Sequence, residues 1–192
     1  MKLVLRQGTR EGIELRGDDN VLVLIETQVV DRGGVPTLEI TTKKGSSFST
    51  RAPIVATIDL ITLRALSISG SGEVTGDALK APGLALAISG SGTFKLMQLA
   101  ADEISPNVSG RGDIAFGGRT GRLRVAISGR GNVDARALEA DDVILSVAGS
   151  GDADVTARKT LTVLIAGAGN VKYTGDATVK SSIAGHGNIS KH

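Results

Sequence analysis

The chain has 192 residues, 26 of them Gly, roughly twice the ordinary share, and a formal net charge of only +2. Four Pro and the lack of a Gly at every third position exclude collagen, plentiful β-branched residues exclude disorder, and zero Cys excludes disulfides, Fe–S clusters, cysteine zinc sites and a thiol nucleophile. Clustered Lys/Arg and aromatic stacking platforms are both missing, which argues against nucleic-acid binding, and no apolar run approaches the ~20 residues of a membrane-spanning helix.

The first residues, Met1 to Gln7, are too short and too soon charged for a signal peptide, so the chain reads as cytoplasmic or as a mature segment. Val21-Leu22-Val23-Leu24-Ile25 is an apolar run of strand length and is expected to be a buried strand. Gly33-Gly34 and Lys43 to Ser47 read as loops, with strands expected at Leu38-Glu39-Ile40 and from Ile54 to Leu60. Residues 1–61 are therefore β-rich but irregular, and are read as first rungs or a cap of one domain spanning 1–192.

Residues 62–192 carry a repeat. Gly-x-Gly occurs at Gly70/Gly72, Gly90/Gly92, Gly110/Gly112, Gly129/Gly131, Gly149/Gly151, Gly167/Gly169 and Gly185/Gly187, at steps of 18 to 20 residues. Two residues before each pair stand Ile68, Ile88, Val108, Ile127, Val147, Ile165 and Ile183, all β-branched. Two residues after stand Val74, Phe94, Ile114, Val133, Ala153, Val171 and Ile189, all apolar. Alternation with period two on both sides of a Gly-rich corner means strand, turn, strand. Parallel stacking of such units sets like residue on like residue at ~4.8 Å, so the fold class is an all-β parallel β-helix (solenoid). Seven regular rungs would form a rod of about 34 Å by the same spacing. The corner glycines would supply positive φ or close chain approach. The residue after each pair, often Asp or Asn, would tolerate left-handed geometry and bond nearby backbone.

The runs Ile-Ser-Gly-Ser-Gly (68–72 and 88–92), Val-Ser-Gly-Arg-Gly (108–112), Ile-Ser-Gly-Arg-Gly (127–131) and Val-Ala-Gly-Ser-Gly (147–151) resemble the bacterial DUF2807 family, also called the putative auto-transporter adhesin head GIN domain. Asn170 to Gly175 resembles its penultimate rung. The resemblance implies a right-handed parallel β-helix in the bacterial envelope, behind a leader that this chain does not show. It carries an adhesin label but no catalytic motif and no cofactor.

Gly-x-Gly marks a phosphate loop only where a helix follows, and here a strand follows each pair. A calcium β-roll needs Asp two residues after the second glycine, where this chain has its apolar Val74-to-Ile189 column. Asp134 and Asp154 share a repeat position on adjacent rungs; Asp152 lies two residues before Asp154, and Asp113 two rungs below Asp152. By strand parity these four point outward as a candidate ligand or cation face, and Asp134, Asp152 and Asp154 are the candidate carboxylates of a carbohydrate-active enzyme. The alternative is a solvated, turn-stabilising ladder. Arg111 and Arg130 occupy the centres of neighbouring corners as a candidate anionic-ligand face, with Arg119, Arg122, Arg124 and Arg136 nearby in sequence; the alternative is a solvated basic edge. His186 holds the same corner position and is read as a surface residue.

Outward positions before the corners are Ser67/Ser69, Ala87/Ser89, Asn107/Ser109, Ala126/Ser128, Ser146/Ala148, Leu164/Ala166 and Ser182/Ala184. A free face normally carries Lys and Glu. This flat face is expected to pack on residues 1–61, or else on a second protomer. The last coil offers a second route to a homo-oligomer, through its open end. The resulting expectation is a non-catalytic envelope or cell-surface binding module for a glycan or protein, with an enzyme or a structural spacer as alternatives.

Overall fold

The structure, a computed structural model, describes residues 1–46 and 52–192. Strands β1 (Lys2–Gln7) and β2 (Gly12–Arg16) precede a one-turn helix α1 (Asp19–Leu22), followed by β3 (Ile25–Asp31), β4 (Pro36–Thr42) and β5 (Val55–Leu60). The repeat supplies β6 (Ala65–Ile68), β7 (Glu73–Ile88), β8 (Thr93–Val108), β9 (Asp113–Ile127), β10 (Asn132–Val147) and β11 (Ala153–Gly167). The last coil is broken into β12 (Asn170–Thr174), β13 (Thr178–Gly185) and β14 (Asn188–Lys191). Each strand from β7 to β11 runs nearly a whole coil and pairs in parallel with the next. The chain is a nearly all-β solenoid of about 6 turns. Seven corners bound six coils, so the seven expected rungs become six, about 29 Å of stacking at ~4.8 Å each.

Parallel pairing in register explains why the core is built from columns. Ile88 stacks on Ile68 and Val108 on Ile88; Ile127, Val147, Ile165 and Ile183 continue the line. Val74, Phe94, Ile114, Val133, Ala153 and Val171 form another column, buried throughout. Each fully buried Val, Ile or Phe of these columns contributes about 1.5–3 kcal/mol by leaving water. Along β8 the buried positions run Phe94, Leu96, then slip to Leu99, then slip again to Ile104. Each slip turns the chain, so a coil has two bends besides its Gly-x-Gly corner. Neither bend carries a repeated signature residue, and the sequence did not announce them.

The corner glycines serve close approach rather than positive φ, which corrects half of what the motif suggested. Only Gly185 among the fourteen has a φ in the left-handed range, +142°. The second glycines, Gly72, Gly92, Gly112, Gly131, Gly151, Gly169 and Gly187, all lack positive φ. The two members of a pair meet different obstacles. A Cβ on Gly90, Gly110, Gly129, Gly149 or Gly167 would lie 2.1–2.2 Å from the carbonyl oxygen of the first corner glycine one coil below. The second glycines belong to the core wall and not to an exposed turn, for Gly92, Gly112, Gly131, Gly151 and Gly169 are buried. A Cβ on Gly92 would meet the Ile68 side chain at 2.9 Å. On Gly112 or Gly187 it would meet Ile88 or Ile165 at 2.6 Å. On Gly131, Gly151 or Gly169 it would lie 2.3–2.4 Å from the oxygen of the second glycine one coil below. Gly72, at the bottom of the series, is half-buried and would approach only Met1 O, at 3.2 Å. Gly70, with no coil beneath it, has nothing within 4 Å of its virtual Cβ.

This close approach lets the backbone hydrogen-bond ladder continue around the corner. The Arg111, Arg130 and Ser150 N–H groups donate to Gly90, Gly110 and Gly129 at 2.9–3.0 Å. No non-Gly residue among those described has positive φ, so the Asp and Asn after the corners are not there for left-handed geometry.

The amino-terminal part departs from expectation. Val21-Leu22-Val23-Leu24-Ile25 is not a strand: α1 takes Val21 and Leu22, and only Ile25 enters β3. Asp18, Asp19 and Asn20 open the turn, the Asp18 carbonyl accepts from the Val21 and Leu22 N–H groups, and Val21 is fully buried. A five-residue apolar run has no periodicity to separate the two outcomes. β3 and β4 form a separate antiparallel hairpin, Val29 opposite Leu38, with Gly33 and Gly34 at positive φ in its turn. In the expected loop from Lys43, Gly45 has positive φ, and Ser47 lies outside the described residues. β1 lies between β5 and β7, parallel to both, and β2 pairs antiparallel with β5 to close that end.

Candidate functional site

Three outward features bear on function, and each follows from the coil register. The first is the acidic cluster. Asp134 stands opposite Asp154 in the β10–β11 ladder. Arg136, two residues along the same strand and hence on the same face, closes on both. Its Nε and Nη2 donate to the Asp134 carboxylate at 2.9 and 2.7 Å, and its Nε lies 3.7 Å from Asp154 Oδ2. His192 Nε2 lies 3.5 Å from the same oxygen, while Asp154 Oδ1 is buried and accepts no hydrogen bond. The hydrogen bond from Arg136 holds the Asp134 carboxyl below the usual carboxylate range, outweighing a smaller opposing effect of burial. A glycosidase acid needs the opposite shift, so Asp134 is unsuited to protonate a leaving group near neutral pH.

Asp113 and Asp152 belong to a different column from Asp134 and Asp154. Asn132 pairs with Asp113, and its Nδ2 donates to Asp113 Oδ1 at 3.0 Å. Asn170 donates to Asp152 Oδ1 from both its backbone N–H and its Nδ2, at 2.8 and 3.0 Å. Asp and Asn alternate here because each amide then donates to a carboxylate one coil below. The four acidic residues are thus brought to one side, but as two occupied columns. Among the described residues no three His, Asp or Glu side chains converge to hold a metal ion.

The second feature is the arginine edge. Arg111 and Arg130 sit on adjacent coils, both exposed, and neither guanidinium has an ion-pair partner among the described residues. Of the four arginines grouped with them by sequence, three pair with carboxylates elsewhere and Arg119 has no ion pair among the described residues. Arg122 and Arg124 reach Glu103 at 3.7 and 3.1 Å, and Arg136 is committed to Asp134. His186 takes the corner position of the last coil and is exposed.

The third feature is the small-residue face. Ser67, Ala87, Asn107, Ala126, Ser146, Leu164 and Ser182 form a single outward column, one residue per coil. Ser89, Ser109, Ser128, Ala148, Ala166 and Ala184 run beside it and are exposed. Among the described residues, the expected packing of 1–61 on this face does not occur. β1 and β5 stack beneath β7 at the end of the solenoid, where their backbone groups find partners, and β3–β4 forms its own sheet. Leu164 remains 47% exposed.

Besides these three, the structure shows a feature that the repeat did not point to. An open depression of about 460 Å³ lies at a bend of the coils, lined by Ala100, Ala101, Asp102, Arg119, Thr120, Gly121, Glu139, Asp141 and Arg158. Gly118, at φ +116°, lets the chain pass where a Cβ would meet Leu99 O at 2.1 Å. Two ion pairs rim it, Arg158–Glu139 at 3.3 Å and Lys159–Asp141 at 2.8 Å. The signal available was Gly117-Gly118 and Gly121, glycines outside the Gly-x-Gly register.

The model of the family described as "Putative auto-transporter adhesin, head GIN domain" matches residues 1–177. No curated protein matches the chain. Among solved structures, a putative adhesin from Bacteroides fragilis NCTC 9343 is 26% identical, with TM-score 0.93 over all of this chain and 88% of its own. A putative lipid binding protein from Parabacteroides distasonis ATCC 8503 is 24% identical, TM-score 0.81, over all of this chain and 88% of its own. A putative adhesin from the same organism is 21% identical, TM-score 0.72, over all of this chain and 89% of its own. The latter two likenesses are of fold alone.

Proposed function

The chain belongs to the DUF2807 family, described as "Putative auto-transporter adhesin, head GIN domain", and from that membership we propose a non-catalytic, adhesin-like binding module of the bacterial cell envelope whose ligand is an extended surface polymer. The observation that carries the reading is the uncovered small-residue face. It spans every coil, bears no charged residue, and is left open by the rest of the described chain. Charge-free small side chains allow an extended partner to lie close against the sheet, with serine hydroxyls and Asn107 supplying hydrogen bonds. Arg136 across Asp134 and Asp154 further supports a binding role over an acid–base one.

The test compares wild type with a Ser128→Lys/Ala148→Lys variant on fixed bacterial cells and on a glycan array. Both positions are exposed, so far-UV circular dichroism should be unchanged while retention falls at least tenfold. Equal retention by both proteins would remove the face from the reading. Release of sugar ends from any array polysaccharide, abolished by Asp152→Asn/Asp154→Asn, would replace it with catalysis.

A further inference from the structure

Resting on that binding reading, we propose that Arg111 and Arg130 form an anion-binding subsite for the acidic groups of a linear polysaccharide running along the solenoid axis. The two side chains share the central corner position on consecutive coils. Arg111 N–H donates to Gly90 O at 3.0 Å and Arg130 N–H to Gly110 O at 2.9 Å, which sets their backbones one coil apart, about 4.8 Å. Both are exposed and neither has a carboxylate partner among the described residues. Among the described arginines, Arg16, Arg32, Arg122, Arg124, Arg136 and Arg158 have one and Arg6, Arg10, Arg64 and Arg119 do not; what sets Arg111 and Arg130 apart is that they stack at the same corner position on consecutive coils. Two like charges stacked in this way repel each other, and a bridging anion relieves that repulsion.

The surroundings fit a glycan better than a protein or a lipid surface. On one side of each arginine lies a corner serine, Ser109 or Ser128; on the other lies the Asp113–Asn132 pair. These are hydroxyl, amide and carboxylate groups, complementary to sugar hydroxyls, and they flank both arginines along a straight edge. The same edge offers no aromatic or large aliphatic anchor, which a protein hot spot or membrane insertion would need. Asn132 fixes the Asp113 carboxylate by donating to its Oδ1. The two guanidinium groups lie in line with the solenoid axis, so they would engage a short stretch of a charged polymer laid along that axis.

The experiment measures affinity electrophoresis and calorimetric binding of the full chain to polygalacturonate (carboxylate), dextran sulfate (sulfate ester) and neutral dextran. Arg111→Ser/Arg130→Ser is the test variant, because Ser already occupies the equivalent corner positions 91 and 150. Lys172→Gln/Lys180→Gln removes the same charge from exposed residues elsewhere. The expected result is binding of at least one polyanion, weakened tenfold or more by the arginine variant and less than twofold by the lysine control. Binding of polygalacturonate alone assigns carboxylate, and of dextran sulfate alone, sulfate. Equal losses in both variants would reduce the effect to net charge and overturn the subsite. Failure of wild type to bind either polymer, or tighter arginine-dependent binding to phosphatidylglycerol vesicles, would also overturn it. Cell and array retention, and its sensitivity to Ser128→Lys/Ala148→Lys, is scored separately, so loss of this subsite does not decide the wider binding reading.

Discussion

The corner glycines divide by what lies beneath them. Gly129 faces the Gly110 carbonyl so closely that a Cβ would sit 2.1 Å away, against backbone that cannot rotate aside. Gly70 occupies the same repeat position over empty space. Gly129→Ala should therefore lower stability by about 3 kcal/mol through overpacking, while Gly70→Ala should stay within about 0.5 kcal/mol. Urea unfolding of the two variants checks this. Equal effects would mean that the corner needs glycine for its backbone angles and not for contact. The position of every corner was legible in the sequence, but this reason was not, because it depends on the coil below. The Arg136 clamp was partly legible: Asp134 and Arg136 are two apart and share a strand face by parity alone.

Among the elements, the β3–β4 hairpin stands apart from the solenoid. Its strands pair with each other and with no other described strand, and Val29 is 71% exposed. The Lys43 N–H donates to the Leu24 carbonyl at 2.8 Å, so the ends of the excursion already meet. Replacing residues 25–42 with two glycines should leave the melting temperature within about 4 °C, a change below roughly 1 kcal/mol for a chain of this size. A larger fall would show that the hairpin supports the coils. The apolar run before it illustrates the limit of periodicity. Val21 to Ile25 has strand composition, yet Asp18, Asp19 and Asn20 start a helical turn that plugs Val21 into the core. The bends at Leu96–Leu99 and Asp134–Ala137 were equally hidden, since they are made by slips in register and not by signature residues.

Taken whole, the solenoid is extended below its first regular coil by the first strand of the chain, held between partners distant in sequence. Lys2 pairs with Glu73 and Val55 at once, so β1 is a coil segment inserted between two others. Stability in such a stack is transmitted mainly between neighbours. Leu5 is buried at this junction. Leu5→Ala should cost about 2–5 kcal/mol and speed amide exchange in β5 and in Glu73–Gly76 before β11 is affected. Uniform acceleration across all coils would show instead that the domain unfolds as one cooperative unit.

The repeat was enough to dictate the coil, because units of 18 to 20 residues can bury their apolar columns only by stacking like on like. It was also enough to say which residues would share a column, including Asp134 with Asp154 and Arg111 with Arg130. The entry of β1 between β5 and β7, the uncovered small-residue face and the choice of which arginines find a carboxylate came only with the folded chain. Those outcomes depend on contacts between segments far apart in sequence, where no local period constrains the partner, whereas stacking is dictated afresh by every coil.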